Sequence, residues 1–129
     1  MGILGIGVDV LHVPRILRLL QRPVASRFAQ RILSSQEHDI WNGIPASDDA
    51  RRTRFLAVRW SIKEAAYKAV YPTLCPTWKD FTFHSLSTDG TRKPLLEYHS
   101  QGEQLLGRIH ASVSHDGDYV YTTVLVETP

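Results

Sequence analysis

The chain has 129 residues, 43% hydrophobic and 22% charged, a size and mix that fold as one domain around one core and exclude disorder. No stretch approaches 18 uncharged apolar residues, which excludes a membrane-spanning helix, and the single cysteine, Cys75, excludes an intrachain disulfide and a multi-cysteine zinc site. The net charge of +2 is too mild for a nucleic-acid binder, but residues 1–36 hold five arginines against one acid, Asp9, so an acidic partner for this segment is expected.

Ile3–Leu11 reads as a strand. Its alternation puts Ile6, Val8 and Val10 on one face, expected to be core, and Gly5, Gly7 and Asp9 on the other. The glycine face is bare backbone beside one carboxylate, open to the close approach of a ligand. Pro14 suits the first turn of a helix running to Gln21, with Arg15, Arg18 and Arg22 on one face. Pro23 interrupts, and a second helix is expected over Val24–Leu33, with Arg27 and Arg31 four apart. Residues 10–36 are Arg-rich and acid-poor in the manner of a transit peptide. They begin behind a strand-like run, however, and no apolar stretch with a cleavage site precedes them, so neither import nor secretion is expected from this segment.

Ser34-x-x-Glu37 matches a capping box that opens a third, short helix. A long helix is expected from Ser47, with Asp48 and Asp49 at its positive end, to about Tyr71, where Pro72 stops it. The second half reads as β: Asp80–Ser87 and Pro94–Tyr98 around a turn at Asp89-Gly90, then a short helix over Gln101–Leu106. Next come Arg108–His115, a hairpin turn at Asp116-Gly117, and a return strand through Val120, Thr122, Val124 and Val126. A strand, a helical segment with one long helix and an antiparallel β-meander make an α+β domain.

Three motifs mislead. Gly5-x-Gly7 lacks the third glycine of a dinucleotide fingerprint and lies inside the strand, not in the turn after it. Ser114-His115-Asp116 names the members of a hydrolase triad, but consecutive strand residues point to opposite faces. The six histidines show no metal-ligand spacing.

Asp9, on a glycine-lined face, is placed for a hard cation, or is a solvated acid or a helix cap. In Lys63-Glu64-x-x-x-Lys68, Glu64 and Lys68 lie one turn apart with Trp60 one turn before. That offers a cation ligand beside a phosphate partner, or an exposed salt bridge worth a few tenths of a kcal/mol. His115 ends a strand at a tight turn, where it reaches a cleft or is merely exposed. Glu37 either acts chemically or only satisfies a backbone N–H. The arginine stripe docks a partner or is a solvated face.

Taken in order, Gly5-Ile-Gly-Val-Asp9, Arg31-Ile-Leu-Ser-Ser-Gln-Glu37, Phe55-Leu-Ala-Val-Arg-Trp-Ser-Ile-Lys-Glu-Ala-Ala-Tyr-Lys68 and Val113-Ser-His115 resemble the 4′-phosphopantetheinyl transferases, in the short holo-[acyl-carrier-protein] synthase form. The resemblance runs from Ile3 to Glu127. It implies transfer of the phosphopantetheine arm of coenzyme A to a serine of an acyl carrier protein, as in fatty acid biosynthesis, with Mg²⁺ and release of adenosine 3′,5′-bisphosphate. It implies Asp9 and Glu64 as metal ligands, Lys68 facing coenzyme A phosphates, and His115, Ser114 and Lys93 at the nucleotide end. The serine proton goes to Glu64, Glu37 or a metal-bound water, with Glu64 or a water it orients placed first.

Carrier proteins of this kind are acidic, so Arg15, with Arg18, Arg22, Arg27 and Arg31, is expected to dock one, with Phe28 as an apolar anchor. A homotrimer with active sites between subunits is implied, in the cytoplasm or a mitochondrial matrix, with no nucleic-acid or membrane partner. Two rivals stand beside this: a noncatalytic basic module gripping an acidic protein or nucleic acid, and a Mg²⁺-dependent phosphohydrolase using the same carboxylates.

Overall fold

A computed structural model describes residues 2–85, 93–99, 102 and 106–129. The elements run β1 (Ile3–His12), α1 (Val13–Leu20), α2 (Ala25–Ile32), α3 (Ser35–Asn42) and α4 (Asp49–Val70). A 3-10 turn at Trp78–Asp80 precedes β2 (Phe81–His84), β3 (Leu95–Tyr98), β4 (Ile109–Asp116) and β5 (Tyr119–Glu127). The α+β class is as expected. The Asp89-Gly90 turn and most of the helix expected over 101–106 lie outside the described residues.

Local chemistry accounts for the helix ends. Ser34 and Glu37 form the expected capping box: the Glu37 N–H donates to Ser34 Oγ at 3.4 Å and the Ser34 N–H to Glu37 Oε1 at 2.9 Å. Helix α4 starts two residues later than Ser47 because the Asp48 carboxylate accepts the Arg51 N–H at 3.2 Å and so takes the cap position itself.

The C-terminal strands are antiparallel but divide between two sheets, β1-β5-β4 and β2-β3. The first strand closes against the last, with Asp9 opposite Thr122 and Leu11 opposite Val120. Gly117, at a φ of 56°, makes the left-handed turn of the β4–β5 hairpin. One core cluster, including Ile62, Ala66, Val70, Phe81, Phe83 and Val124, lies between α4 and the sheets. The other, including Leu11, Ile16, Ile32, Leu33, Trp41 and Leu56, lies between α4 and α1–α3.

The faces of β1 are the reverse of the sequence expectation. Ile6, Val8 and Val10 are more than half exposed, and the glycine face is the buried one. A Cβ on Gly5 would stand 1.9 Å from the Ala69 carbonyl oxygen, and one on Gly7 1.8 Å from that of Ala65. The glycines therefore admit the backbone of α4, not a ligand. Rows four apart on the helix, Ala69, Ala65 and Ser61, meet alternate residues of the strand, Gly5, Gly7 and Asp9. Hydrophobicity alone assigned the faces wrongly because backbone-to-backbone packing needs small residues, not large apolar ones.

A buried ionic hub ties α2, α3, α4, the 3-10 turn and β2 together. Glu37, 0% exposed, accepts from Lys63 Nζ and, at 2.8 Å, from the Phe83 N–H, and its Oε2 lies 3.8 Å from Arg59 Nε. Lys63 also donates to the carbonyls of Ile32 and Trp78 at 2.7 and 3.0 Å. Burial pulls the Lys63 ammonium below its ordinary value, with Glu37 opposing. The Arg59 guanidinium, 3.6 Å above the Phe55 ring, is pulled down by burial to about 10, again against Glu37.

Candidate active site where the first strand crosses the long helix

The zipper of β1 on α4 delivers Asp9 to a fixed point. Its Oδ2 accepts the Ser61 hydroxyl at 2.9 Å. Its Oδ1 lies 3.3 Å from Lys68 Nζ, which also donates to the Val8 carbonyl at 3.0 Å. Glu64, half-buried one turn before Lys68, has its carboxyl raised above the ordinary range, first by burial and then by the charge of Asp9, with Lys68 opposing. Asp9, Glu64 and Lys68 thus share one electrostatic neighbourhood although Asp9 comes from a distant part of the chain. The salt bridge between Glu64 and Lys68 that helical spacing allows is not formed. Lys68 reaches across to the strand and pairs with Asp9 instead.

Two acids in mutual repulsion beside one half-exposed ammonium are suited to a hard cation with phosphate oxygens. Among the described residues no group of three or more His, Cys, Asp or Glu gathers. The donor set matches Mg²⁺, which takes one or two carboxylates and draws its other ligands from water and substrate.

The remaining expected residues are placed as follows. Ser114 is exposed and stands opposite Tyr121, itself opposite Val10, on the outer sheet face, away from the Asp9 face. His115 is exposed at the end of β4 and lines a groove of about 590 Å³ with Pro14, Leu17, Thr53 and Val58. Asp9, Glu64 and Lys68 do not line that groove. Lys93 is exposed just ahead of β3. Arg15, Arg18, Arg22, Arg27 and Arg31 are all exposed, and none makes an ion pair with a described residue.

Two expectations need correction. Glu37 does not offer a free carboxylate to a substrate, because both its oxygens are engaged in the buried hub. Phe28 is not a free anchor: its ring stacks on Trp60 at 5.0 Å, and Trp60 in turn lies 5.1 Å from Trp78. Sequence reasoning also missed Ser61 and Thr122 beside Asp9. For Ser61 the signal was a helical row of small residues at 57, 61, 65 and 69 facing the glycine strand.

The α+β fold brings two acids and one ammonium together where the first strand crosses the long helix. A family model described as the 4′-phosphopantetheinyl transferase superfamily matches residues 5–124, and the chain belongs to that family. It is 40% identical to the mitochondrial 4′-phosphopantetheinyl transferase B of Aspergillus fumigatus, over 95% of this chain and 92% of the relative. It is 34% identical to the holo-[acyl-carrier-protein] synthase of Buchnera aphidicola, over 98% and 99%. Among solved structures it resembles the holo-(acyl-carrier-protein) synthase of Bacillus anthracis in complex with CoA (3′,5′-ADP), at 28% identity, a TM-score of 0.74 and full coverage of both chains. The Neisseria meningitidis synthase matches at 27% identity and a TM-score of 0.78, over 98% of this chain and 99% of that one.

Proposed function

We propose that this chain transfers the 4′-phosphopantetheine arm of coenzyme A to a serine hydroxyl of an apo acyl carrier protein and releases adenosine 3′,5′-bisphosphate. The observation that carries the proposal is the convergence of Asp9, Glu64 and Lys68 at one crossing in a chain of this family. Asp9 and Glu64 would hold Mg²⁺, which supplies charge neutralisation at the pyrophosphate when bound. The serine oxygen forms a bond to phosphorus as the pyrophosphate P–O bond breaks, and positioning and charge account for most of the rate. Glu64, made more basic by burial and by the charge of Asp9, or a water it orients, accepts the serine proton. Lys68 turns its ammonium from Asp9 to a phosphate oxygen. Ser114, off the Asp9 face of its own chain, and His115, in a groove that Asp9 does not line, hold the nucleotide end with Lys93 from a neighbouring subunit.

The test is direct. Apo carrier protein, Mg²⁺ and coenzyme A are mixed with the chain, and each carrier is expected to gain one phosphopantetheine by mass. The rate should fall as salt is added, because exposed arginines such as Arg15 and Arg18 steer an acidic carrier. No mass gain on any apo carrier that another transferase modifies would overturn the proposal. Phosphate release without a carrier would favour a hydrolase.

The outer face of β1, with Ile6, Val8 and Val10 exposed beside Tyr119 and Tyr121, supports assembly as a homotrimer that closes the sites between subunits. A monomer seldom leaves such a contiguous apolar stripe to water. Val8→Asp is expected to shift the mass measured by light scattering from three chains to one. A wild-type chain that runs as a monomer overturns this. A single exposed Cys75 suits a reducing compartment, the cytoplasm or a mitochondrial matrix. No helix among the described residues is long and apolar enough to cross a membrane.

A further inference from the structure

The carboxylate of Asp9 has two unlike oxygens. Oδ1 faces outward to Lys68, whose side chain is 51% exposed. Oδ2 is held from inside by Ser61, which is 0% exposed. Ser61 Oγ stands 2.8 Å from Thr122 Oγ1, also 0% exposed. The Thr122 hydroxyl proton faces both the Ser61 carbonyl, at 2.9 Å, and Ser61 Oγ, which leaves the one Ser61 hydroxyl proton for Asp9.

Both hydroxyls break an apolar pattern at the same level. The helix row facing β1 reads Ala57, Ser61, Ala65, Ala69, and the inward row of β5 reads Val120, Thr122, Val124, Val126. Alanine at 61 and valine at 122 would fill the same space without burying a polar group, which is costly unless it is hydrogen-bonded. The substitutions fall where α4 and β5 meet Asp9, and Thr122 lies directly opposite it in the sheet. A carboxylate rotates over a broad, two-fold torsional well, so a single buried donor on one oxygen fixes the plane in which the other oxygen faces out.

We propose that Ser61, backed by Thr122, is a positioning residue that sets the plane of Asp9 and presents Oδ1 to the divalent cation. This rests on the reading of Asp9 as a metal ligand. The test is Mn²⁺ binding to the full chain, followed by the spin-resonance signal of the free ion, with thermal unfolding alongside. Ser61→Ala is expected to weaken Mn²⁺ binding by about 10-fold or more, the range for outer partners of a metal ligand, and to raise the metal concentration needed for half-maximal rate more than it lowers kcat. A purely structural serine would lower the melting temperature and leave Mn²⁺ affinity unchanged. Unchanged affinity in Ser61→Ala, with affinity lost in Asp9→Asn, overturns the positioning role and keeps Asp9 as a ligand. Wild-type affinity in Asp9→Asn removes the parent reading and this one with it. Should Ser61→Ala not fold, Thr122→Val decides: weakened Mn²⁺ binding supports the role, and unchanged binding overturns it.

Discussion

Asp9→Asn is expected to cut the transfer rate by more than about 100-fold, beyond what loss of an outer partner of a metal ligand costs, while an apo carrier still binds at close to wild-type affinity. The substitution keeps the shape and an oxygen to accept the Ser61 hydroxyl, and removes the charge. The ion pair it breaks with Lys68 is half-exposed, and such pairs contribute at most about 1 kcal/mol to stability, so the fold should survive. Glu64→Gln should behave alike. The two measurements are the mass-based transfer rate and a carrier titration. The arginines of α1 and α2 are separate from the carboxylates, so binding and turnover should part. An Asp9→Asn chain with the wild-type rate would refute the carboxylate-pair mechanism. A noncatalytic basic module would show carrier binding and no turnover in either form.

Glu37→Ala has the opposite profile. It is expected to lower stability by about 3–5 kcal/mol, the usual cost of removing one partner from a buried ion pair. Lys63 would be left in the core with two carbonyl acceptors and no counter-charge, and Arg59 would lose its carboxylate neighbour. The Phe83 N–H would lose its acceptor as well. Replacing the pair together by apolar residues of similar volume, Glu37→Leu with Lys63→Met, should recover much of that loss. Urea unfolding measures both variants. The transfer rate per folded molecule should stay near wild type, because Glu37 touches none of Asp9, Glu64 and Lys68. A stable Glu37→Ala chain with lost turnover would return Glu37 to the chemistry.

Much of this was legible in the sequence, and the failures share one cause. Helix starts near Pro14 and at Ser34 depend on local hydrogen bonds and backbone angles, which neighbouring residues encode, and the long helix was placed only two residues early, at Ser47, because Asp48 takes the cap. The hairpin at Asp116-Gly117 was legible for the same reason. Asp9 and Glu64 were named from their residue types and a family pattern, but that they meet follows from non-local packing. The inverted faces of β1, the burial of Glu37, the stacking of Phe28 on Trp60 and the division into two sheets all depend on which element lies against which. No local periodicity carries that. A glycine pair in a strand announces close approach, but does not say whether a ligand or a helix backbone will occupy the space. The row of small residues on α4 answers that question, and it becomes visible only when the two segments are laid side by side.

The parity of β1 has an evolutionary consequence. Odd-numbered residues, Gly5, Gly7, Asp9 and Leu11, are locked to α4 and to the buried core, whereas even-numbered Ile6, Val8 and Val10 look outward. The stretch from Gly5 to Leu11 therefore carries two independently mutable alphabets. Drift at the even positions can change the outer surface of the strand while the carboxylate keeps its coordinates. Drift at Gly5 and Gly7 is barred by the helix backbone beneath them.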